Sequence, residues 1–271
     1  DADPPVMLYI MGTGDDRRSP SGRLQHGGYW RGEREWPLAR GQPTSYYLHH
    51  DGTLTTTPPA EVESSTTYTF DPSHAVPTIG GNISSSQGLM VAGGYDQRAR
   101  DDSFPPGPTL PLSERRDVLV YRTAPLEKDV EVVGTVEVKL WISSTAPDTD
   151  FTAKLIDEIP PNADYPLGFD LNIGDSIIRT RYREGNDHQA AFLKPGEVAP
   201  VTIILYPTAN VFKRGHRIRV DVSSSNHPRF DVNPNTADPL GDYRRMVAAD
   251  NTVHHDAARP SQVVLPVVPR L

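Results

Sequence analysis

Serine is the residue type in this chain best suited to act as a nucleophile, because the sequence contains no cysteine. Serine clusters occur at residues 84–86 and 223–225. Neither lies in a G-x-S-x-G motif, which does not occur anywhere in the chain. Clusters of this kind are common in turns and at strand ends, where serine hydroxyls bond backbone groups. We therefore predict that the chain holds no catalytic nucleophile of its own.

Oxygen ligands for a metal ion occur at one calcium-loop-like spacing. Asp231, Asn233, Asn235 and Asp242 occupy positions 1, 3, 5 and 12 of that pattern. Thr236 stands where the sharp turn of such a loop requires glycine, and Asp242 replaces the bidentate glutamate. The pattern favours Asn and Asp side chains that cap a turn, and we predict no metal site and no cofactor.

Histidine, another common metal ligand, occurs as two adjacent pairs, His49 with His50 and His254 with His255. Neighbouring side chains on a strand point to opposite faces, so the members of a pair cannot both bind one metal ion from a regular strand. We interpret all four as surface or loop histidines.

Large aromatic rings are concentrated in one charged segment. Two of the three tryptophans, Trp30 and Trp36, flank Glu33 in a stretch that begins at Tyr29. Rings of this size need burial. They could pack on the core of their own domain, fill a seam against another domain, or form a strip that stacks on sugar. The sequence leaves these three alternatives open.

The elements that would position these residues are short β-strands. From residue 130 onward apolar and polar residues alternate repeatedly, which is the pattern of a strand with one buried face. The alternation is clear at residues 136–142, 151–155, 178–182, 201–205, 218–222 and 263–267. Because Pro and Gly separate these segments, they predict two packed sheets. The intervening arginines are expected to face solvent or a partner: Arg179, Arg181, Arg183, Arg217 and Arg219.

Before residue 130 the strand signal is weaker. We predict strands at residues 6–11, 46–49, 66–70 and 116–122, with long loops at 12–41 and 80–111. Residues 243–250 are the one segment with a helical pattern, and it is too short to change the class. The sequence therefore predicts an all-β chain with long loops and little helix.

Composition argues against two classes of partner. The 35 acidic and 27 basic residues give a net charge of −8, whereas a nucleic-acid backbone requires clustered positive charge. No run approaches the roughly 20 apolar residues needed to cross a bilayer. We expect a soluble chain, cytoplasmic or secreted, with neither nucleic acid nor membrane as partner. Its first residues look like an interior segment of a longer protein.

Several motifs agree in order with one known family. They are DTDFTAKLID at residues 148–157, IRTRYR at 178–183, GHRIRV at 215–220 and SSSNHPRFD at 223–231. The match continues through NPNT at 233–236 and PSQVVLP at 260–266, and earlier through PVMLYIMG at 5–12 and WRGEREWP at 30–37. These segments resemble the C-terminal domain of the X-Pro dipeptidyl-peptidase and cocaine-esterase (CocE/NonD) family of serine hydrolases.

The resemblance implies a jelly-roll β-sandwich of the galactose-binding-like type over residues 60–271. It implies that residues 1–59 are the post-catalytic strand and junction segment at the end of an α/β-hydrolase region. The family hydrolyses acyl esters or amides with a Ser-Asp-His triad and an acyl-serine intermediate. None of those triad residues maps onto this chain, so the resemblance implies that catalysis requires the hydrolase domain.

The resemblance also implies partners and a site. The partner is the α/β-hydrolase catalytic domain of the same polypeptide, and the substrate is a small acyl ester or amide. In the family the sandwich contributes an apolar wall to the acyl pocket, and the matching pair here is Leu140 and Trp141. With Trp30, Glu33 and Trp36 they are the predicted substrate-pocket or domain-interface residues.

Two further functions compete with an accessory domain. Jelly rolls often carry sugar sites, so the alternative is a carbohydrate-binding module, which predicts stacking rings on one exposed face. A self-assembling structural jelly roll is the other, and it predicts oligomers in solution.

Overall fold

The structure is a computed structural model that describes residues 3–80, 93–98, 111–185 and 189–269. Those residues form 15 β-strands and three short 3-10 turns. The strands are β1 Val6–Met11, β2 Gly28–Glu33, β3 Gln42–Leu48, β4 Leu54–Thr55, β5 Ser65–Phe70, β6 Leu119–Arg122, β7 Val130–Gly134, β8 Glu137–Ser144, β9 Asp150–Ile159, β10 Phe169–Arg179, β11 Ala199–Ile204, β12 Thr208–Phe212, β13 Arg217–Ser223, β14 Ala249–His254 and β15 Gln262–Val268. The 3-10 turns are Pro72–His74, Leu112–Glu114 and Thr180–Tyr182. No helical turn in the described ranges is long and apolar enough to cross a membrane.

The larger sheet has 11 strands and is built around β8. Strand β11 pairs with one edge of β8, while β14 and β15 share the other edge. From β15 the sheet continues through β7 and β12 to the β1–β2 hairpin. Strands β3 and β4 lie beyond β15, and β5 lies beyond β14. The residues of β8 therefore have neighbours on both sides.

The smaller sheet has four antiparallel strands in the order β10-β9-β13-β6, and one apolar core joins it to the larger sheet. Leu140 and Ile142 of β8 pack in this core with Phe151 and Leu155 of β9. Complete burial of a side chain of this size stabilises the folded state by about 1.5–3 kcal/mol. Since the chain has no cysteine, this burial and hydrogen bonding hold the two sheets together. The predicted all-β jelly-roll sandwich is confirmed.

The predicted helix at residues 243–250 is wrong. Residues 243–248 are irregular, and Ala249 begins β14, which pairs with β5 on one side and with β8 on the other. Ala249 and Asp250 pair with β5, and the backbone of Val247 bonds Pro234 O and Asn235 Nδ2, so tertiary contacts override a weak local preference for helix. Strand β10 likewise ends at Arg179, and the 3-10 turn Thr180–Tyr182 follows where the alternation predicts more strand.

Strands from both sides of the predicted boundary at residue 59 join the larger sheet. Strand β1 pairs with β12, and β3 pairs with β15. The division into residues 1–59 and 60–271 stays a prediction.

The arginine on the outer face of the smaller sheet is buried, although the alternation predicts that it faces solvent or a partner. Arg219 is only 1% exposed, and it donates to both carboxylate oxygens of Asp221 and to Asp170, all at 2.7 Å. Gln97 lies over this face, where it accepts a hydrogen bond from Lys154 Nζ at 3.1 Å. Burial lowers the pKa of Lys154 to about 8. Alternation identifies the face of a strand but does not tell whether another segment covers it.

A second buried ion pair ties the end of β10 to the loop at residues 231–248, and it overturns the same expectation for Arg181. Asp148 accepts hydrogen bonds from Thr180 Oγ1 and from Arg181 N and Nε at 2.7–3.0 Å. It also accepts one from Asn233 Nδ2 at 2.9 Å. Arg181 donates to two carbonyl oxygens of the loop. The motif residues of the family resemblance thus stabilise the fold.

A buried histidine fixes the segment between β1 and β2 to the sandwich. His216 Nδ1 lies 2.8 Å from Asp157 Oδ1, and His216 Nε2 lies 3.1 Å from Asp16 Oδ2. Lys213 also pairs with Asp16, and His26 is a further titratable side chain near Asp157. Although burial opposes the charge, the hydrogen bonds that His216 donates to Asp157 and Asp16 raise the pKa of His216 to about 9.

This geometry predicts how stability depends on pH. A histidine pKa raised from 6.5 to about 9 stabilises the fold, by up to roughly 3 kcal/mol. Because the folded pKa lies above the unfolded one, this contribution is complete below pH 6.5 and is lost as the pH rises through 9. We expect His216→Gln to lower the urea midpoint at pH 6 and to flatten its decline up to pH 9.5.

The matched control is His74→Gln, since the His74 side chain is 81% exposed. It should leave the pH profile of the urea midpoint unchanged. Identical profiles for the parent chain and His216→Gln would contradict the assignment of charge to His216.

Candidate functional site

Trp141 lies on the outer face of the larger sheet. Leu140 and Ile142 on either side of it point into the core, so alternation turns Trp141 away from the smaller sheet. Its cross-strand neighbours are Pro200 on β11 and His254 on β14. These two side chains flank the half-buried tryptophan on the outer face.

A serine hydroxyl holds the backbone of Trp141. The N–H of Trp141 donates to Ser261 Oγ at 2.9 Å, and Ser261 Oγ donates to the carbonyl of His254 at 2.5 Å. Strand β14 ends at His254 and β15 begins at Gln262, so Ser261 bridges the place where one neighbouring strand gives way to the next.

The β1–β2 hairpin packs on the same side of the larger sheet. Val132 belongs to the central core, so its neighbour Val133 faces outward. Val133 packs with Ile10 of β1 and with Val211 and Leu38 in a separate small cluster. The inner face of the hairpin therefore covers one end of the outer face.

The other side of the hairpin carries exposed rings. Trp30 is 65% exposed and packs edge-on against Tyr9, with ring centroids 5.3 Å apart and planes at 64°. Met7 adds an exposed apolar side chain on the same side. Gly28 lies under the Tyr9 ring, where a Cβ would come within 2.4 Å of it. These side chains form a contiguous patch rather than scattered apolar residues.

The side chains of Trp36 and Glu33 differ in solvent exposure. Trp36 is 42% exposed and precedes Leu38 of the hairpin cluster by two residues. Glu33 is buried, and it accepts hydrogen bonds from Arg31 at 2.7 Å and from Arg40. The bonds from Arg40 hold the pKa of Glu33 below its usual value. Glu33 thus ties β2 to the segment that follows it.

Trp141 and the β1–β2 hairpin that carries Trp30 lie on the same side of the larger sheet, and Trp36 follows the hairpin two residues before Leu38 of its cluster. We call Tyr9, Trp30, Trp36 and Trp141 the outer aromatic face. Of the other predicted site residues, Leu140 lies in the core behind Trp141. Their roles in a pocket or interface stay predictions.

Two serine–histidine hydrogen bonds between residues far apart in the sequence occur in the described ranges, and sequence reasoning missed both. Ser64 Oγ lies 2.7 Å from His255 Nδ1, and Ser143 Oγ lies 3.0 Å from His254 Nε2. Residues 64 and 255 are too far apart in sequence for any spacing rule to pair them. The interpretation of the histidines as surface or loop residues is wrong for His255, which is fully buried.

The Ser64–His255 pair lacks the organisation of a catalytic triad. The second ring nitrogen of His255 lies 2.9 Å from Thr66 Oγ1, so a hydroxyl occupies the place where a triad has a carboxylate. Within the described ranges no carboxylate bonds to this ring. Burial lowers the pKa of His255, and the neutral ring links β5 to the end of β14.

We expect the chain to resist labelling by a fluorophosphonate probe, which reacts rapidly only with an activated serine. Intact-mass spectrometry after prolonged incubation should show no adduct on the 271-residue chain. A serine hydrolase with an assembled Ser-Asp-His triad should label under the same conditions. An adduct that disappears in Ser64→Ala would show that Ser64 is a nucleophile after all.

The remaining candidate ligands hold the fold. In the cluster at residues 223–225, Ser225 Oγ accepts the backbone N–H of Val76 at 2.8 Å; the cluster at 84–86 lies outside the described residues. Asn233 Oδ1 accepts the N–H of Asn235 at 2.9 Å, which confirms the turn-capping interpretation. The described residues contain no group of three or more His, Cys, Asp or Glu able to hold a metal ion.

The fold and its buried polar residues define a β-sandwich domain with a structural interior and a tryptophan-bearing outer face. Comparison with known families identifies it further. Residues 1–264 match the family described as the X-Pro dipeptidyl-peptidase C-terminal non-catalytic domain, and the chain belongs to that family.

Individual relatives agree with this family. Cocaine esterase of Rhodococcus sp. (strain MB1 Bresler) is 36% identical over 277 residues, covering 98% of this chain and 42% of the esterase. An α-amino acid ester hydrolase of known structure superposes with a TM-score of 0.78 at 26% identity, over 97% of this chain and 41% of the hydrolase. An aminopeptidase from a marine sediment Thaumarchaeota archaeon gives 0.76 at 25% identity, over 99% and 41%. The chain thus spans about two fifths of the length of these relatives.

Proposed function

We propose that this chain is the C-terminal accessory domain of a serine acyl hydrolase and packs through its outer aromatic face on the α/β-hydrolase catalytic domain of the same polypeptide. The position of Trp141 and of the β1–β2 hairpin with its exposed Trp30 on the same side of the larger sheet carries the proposal. Membership of a non-catalytic family and the coverage of two fifths of each relative support a catalytic partner.

The exposed rings form an apolar surface on which the catalytic domain can dock. Trp30 and Trp36 expose much of their surface, and Tyr9 and Met7 extend the patch. Burial of an apolar surface at an interface is favourable, and tryptophan and tyrosine supply a large share of binding energy in such contacts. The catalytic domain would cover rings that water now surrounds.

Trp141 has a more specific role in the proposal. We assign its ring to the wall of the acyl pocket, with Leu140 anchoring the strand in the core behind it. The pocket would take a small acyl ester, the chemistry named in the esterase and ester-hydrolase relatives, or an amide, as the name of the aminopeptidase relative suggests. The nucleophile, base and oxyanion hole would come from the catalytic domain, and this chain would orient the acyl group and exclude water.

A substitution in the complete hydrolase tests whether Trp141 forms part of the acyl-pocket wall. We expect Trp141→Ala to lower kcat/KM for p-nitrophenyl benzoate about 10- to 100-fold, because an apolar pocket contact is worth that much in discrimination. The loss for p-nitrophenyl acetate should be smaller, since a methyl group reaches less of the wall. Steady-state kinetics with both esters would measure the difference.

Tyr243→Ala is the matched control. Tyr243 is 42% exposed and lies near Arg179 at the end of β10, away from the outer aromatic face. It should leave both kinetic constants unchanged. Equal kinetics for Trp141→Ala and the parent enzyme with both esters would remove Trp141 from the pocket.

A further inference from the structure

Trp141 lies at the junction of two strands, β14 and β15, that share one edge of β8. Strand β14 pairs with residues 141–144 of β8, and β15 pairs with residues 137–139. Trp141 is the last residue of β8 opposite β14, where it faces His254, and its N–H donates to Ser261 Oγ at 2.9 Å. Ser261 is fully buried, so water cannot replace this acceptor.

The serine is itself held in place. Its hydroxyl donates to the carbonyl of His254 at 2.5 Å, which uses both its donor and an acceptor position. The turn before it is pinned by Asp256, which accepts the N–H groups of Ala258 and Arg259 at 3.0 and 2.9 Å. A fixed hydroxyl thereby sets the position of the Trp141 backbone and of His254 beside it.

We infer that Ser261 is a positioning residue that fixes Trp141 in the outer aromatic face and so sets the shape of the acyl-pocket wall. The inference rests on the proposed function of Trp141. Ser261 acts through the backbone of Trp141 and does not itself reach the outer face. Without the hydroxyl, the buried N–H of Trp141 would lack an acceptor, and β8 would shift or fray where the ring projects.

The first test follows the tryptophan rings directly. The 271-residue chain contains three tryptophans, so 5-fluorotryptophan labelling gives three ¹⁹F resonances, assignable with Trp30→Phe, Trp36→Phe and Trp141→Phe. We expect Ser261→Ala to shift or broaden the Trp141 resonance and to leave the other two in place. A Trp141 resonance that does not move would overturn the inference.

Ser225→Ala is the matched control for loss of a buried hydroxyl. Ser225 is also buried and accepts a backbone N–H, that of Val76, at 2.8 Å. Its removal should destabilise the chain similarly without changing the Trp141 resonance. An equal change in Ser225→Ala and Ser261→Ala would mean that general loosening, not positioning, moves the ring, and would also overturn the inference.

The second test measures the pocket in the complete hydrolase. We expect Ser261→Ala to raise KM for p-nitrophenyl benzoate about tenfold, the effect of one lost hydrogen bond, with a smaller change in kcat. Ser261→Thr keeps the hydroxyl and should restore most of the KM. Ser225→Ala should change neither constant.

The kinetic outcomes separate the two proposals. If Trp141→Ala changes the kinetics and Ser261→Ala does not, the positioning role fails while the pocket wall stands. If Trp141→Ala has no effect, the proposed function of Trp141 fails and the positioning role fails with it.

Discussion

Replacing Arg219 by methionine is expected to destabilise the fold by about 3–5 kcal/mol, the usual effect of removing one partner from a buried ion pair. The guanidinium is 1% exposed and bonds Asp221 twice and Asp170 once, each at 2.7 Å. Methionine fills a similar volume but leaves two buried carboxylates without this donor. Urea unfolding at pH 7, followed by circular dichroism, would measure the change.

Two companion variants make this prediction specific. Adding Asp221→Asn and Asp170→Asn to Arg219→Met should recover part of the lost stability, because the uncompensated charges are removed. Arg244→Gln is the surface control: Arg244 pairs with Asp242, but its side chain is 90% exposed, and no measurable loss is expected. A midpoint for Arg219→Met equal to that of Arg244→Gln would refute the buried role of Arg219.

Asp148→Ala is expected to have an effect of similar size, about 3–5 kcal/mol. The carboxylate is fully buried and accepts four hydrogen bonds, two of them from Arg181. Its loss leaves the Arg181 guanidinium buried without a counter-charge and frees one end of the 231–248 loop. We expect faster amide exchange over that loop in addition to a lower urea midpoint.

The localisation of the exchange distinguishes this prediction from general destabilisation. Hydrogen exchange measured by mass spectrometry should rise at residues 233–248 before it rises in β8 or β15. Asp242→Ala removes a partly buried carboxylate of the same loop that pairs with the exposed Arg244, and it should leave the pattern as in the parent chain. Uniform exchange throughout Asp148→Ala would show that Asp148 does not anchor this loop.

The sheet framework follows from the sequence because one face of each strand is apolar. Alternation predicts β8, β9, β13 and β15, and it predicts that Trp141 points opposite to Leu140. It cannot tell which outer face a loop covers, and so it misplaces Arg219, which Gln97 and its neighbours bury. Whether a loop covers the outer face of a sheet depends on long-range packing, which leaves no local pattern in the sequence.

In the candidate site too, the sequence identifies some residues, whereas the positions of others depend on the tertiary fold. The tryptophans stand out in the sequence by type, yet the common side of Trp30 and Trp141 depends on how the β1–β2 hairpin folds over Val133. Ser261 gives no signal at all, because its role depends on the junction between β14 and β15. Residues 243–250 show the converse, since a local helical pattern gives way to an irregular segment whose last two residues pair with β5.

Hydroxyl-radical footprinting of the 271-residue chain beside the complete hydrolase tests the docking of the outer aromatic face most directly. Oxidation of Trp30, Trp36 and Trp141, read by mass spectrometry, should fall several-fold in the complete hydrolase, while oxidation of Tyr243 stays the same. Equal oxidation of all three tryptophans in both proteins would contradict the proposal that the catalytic domain covers them.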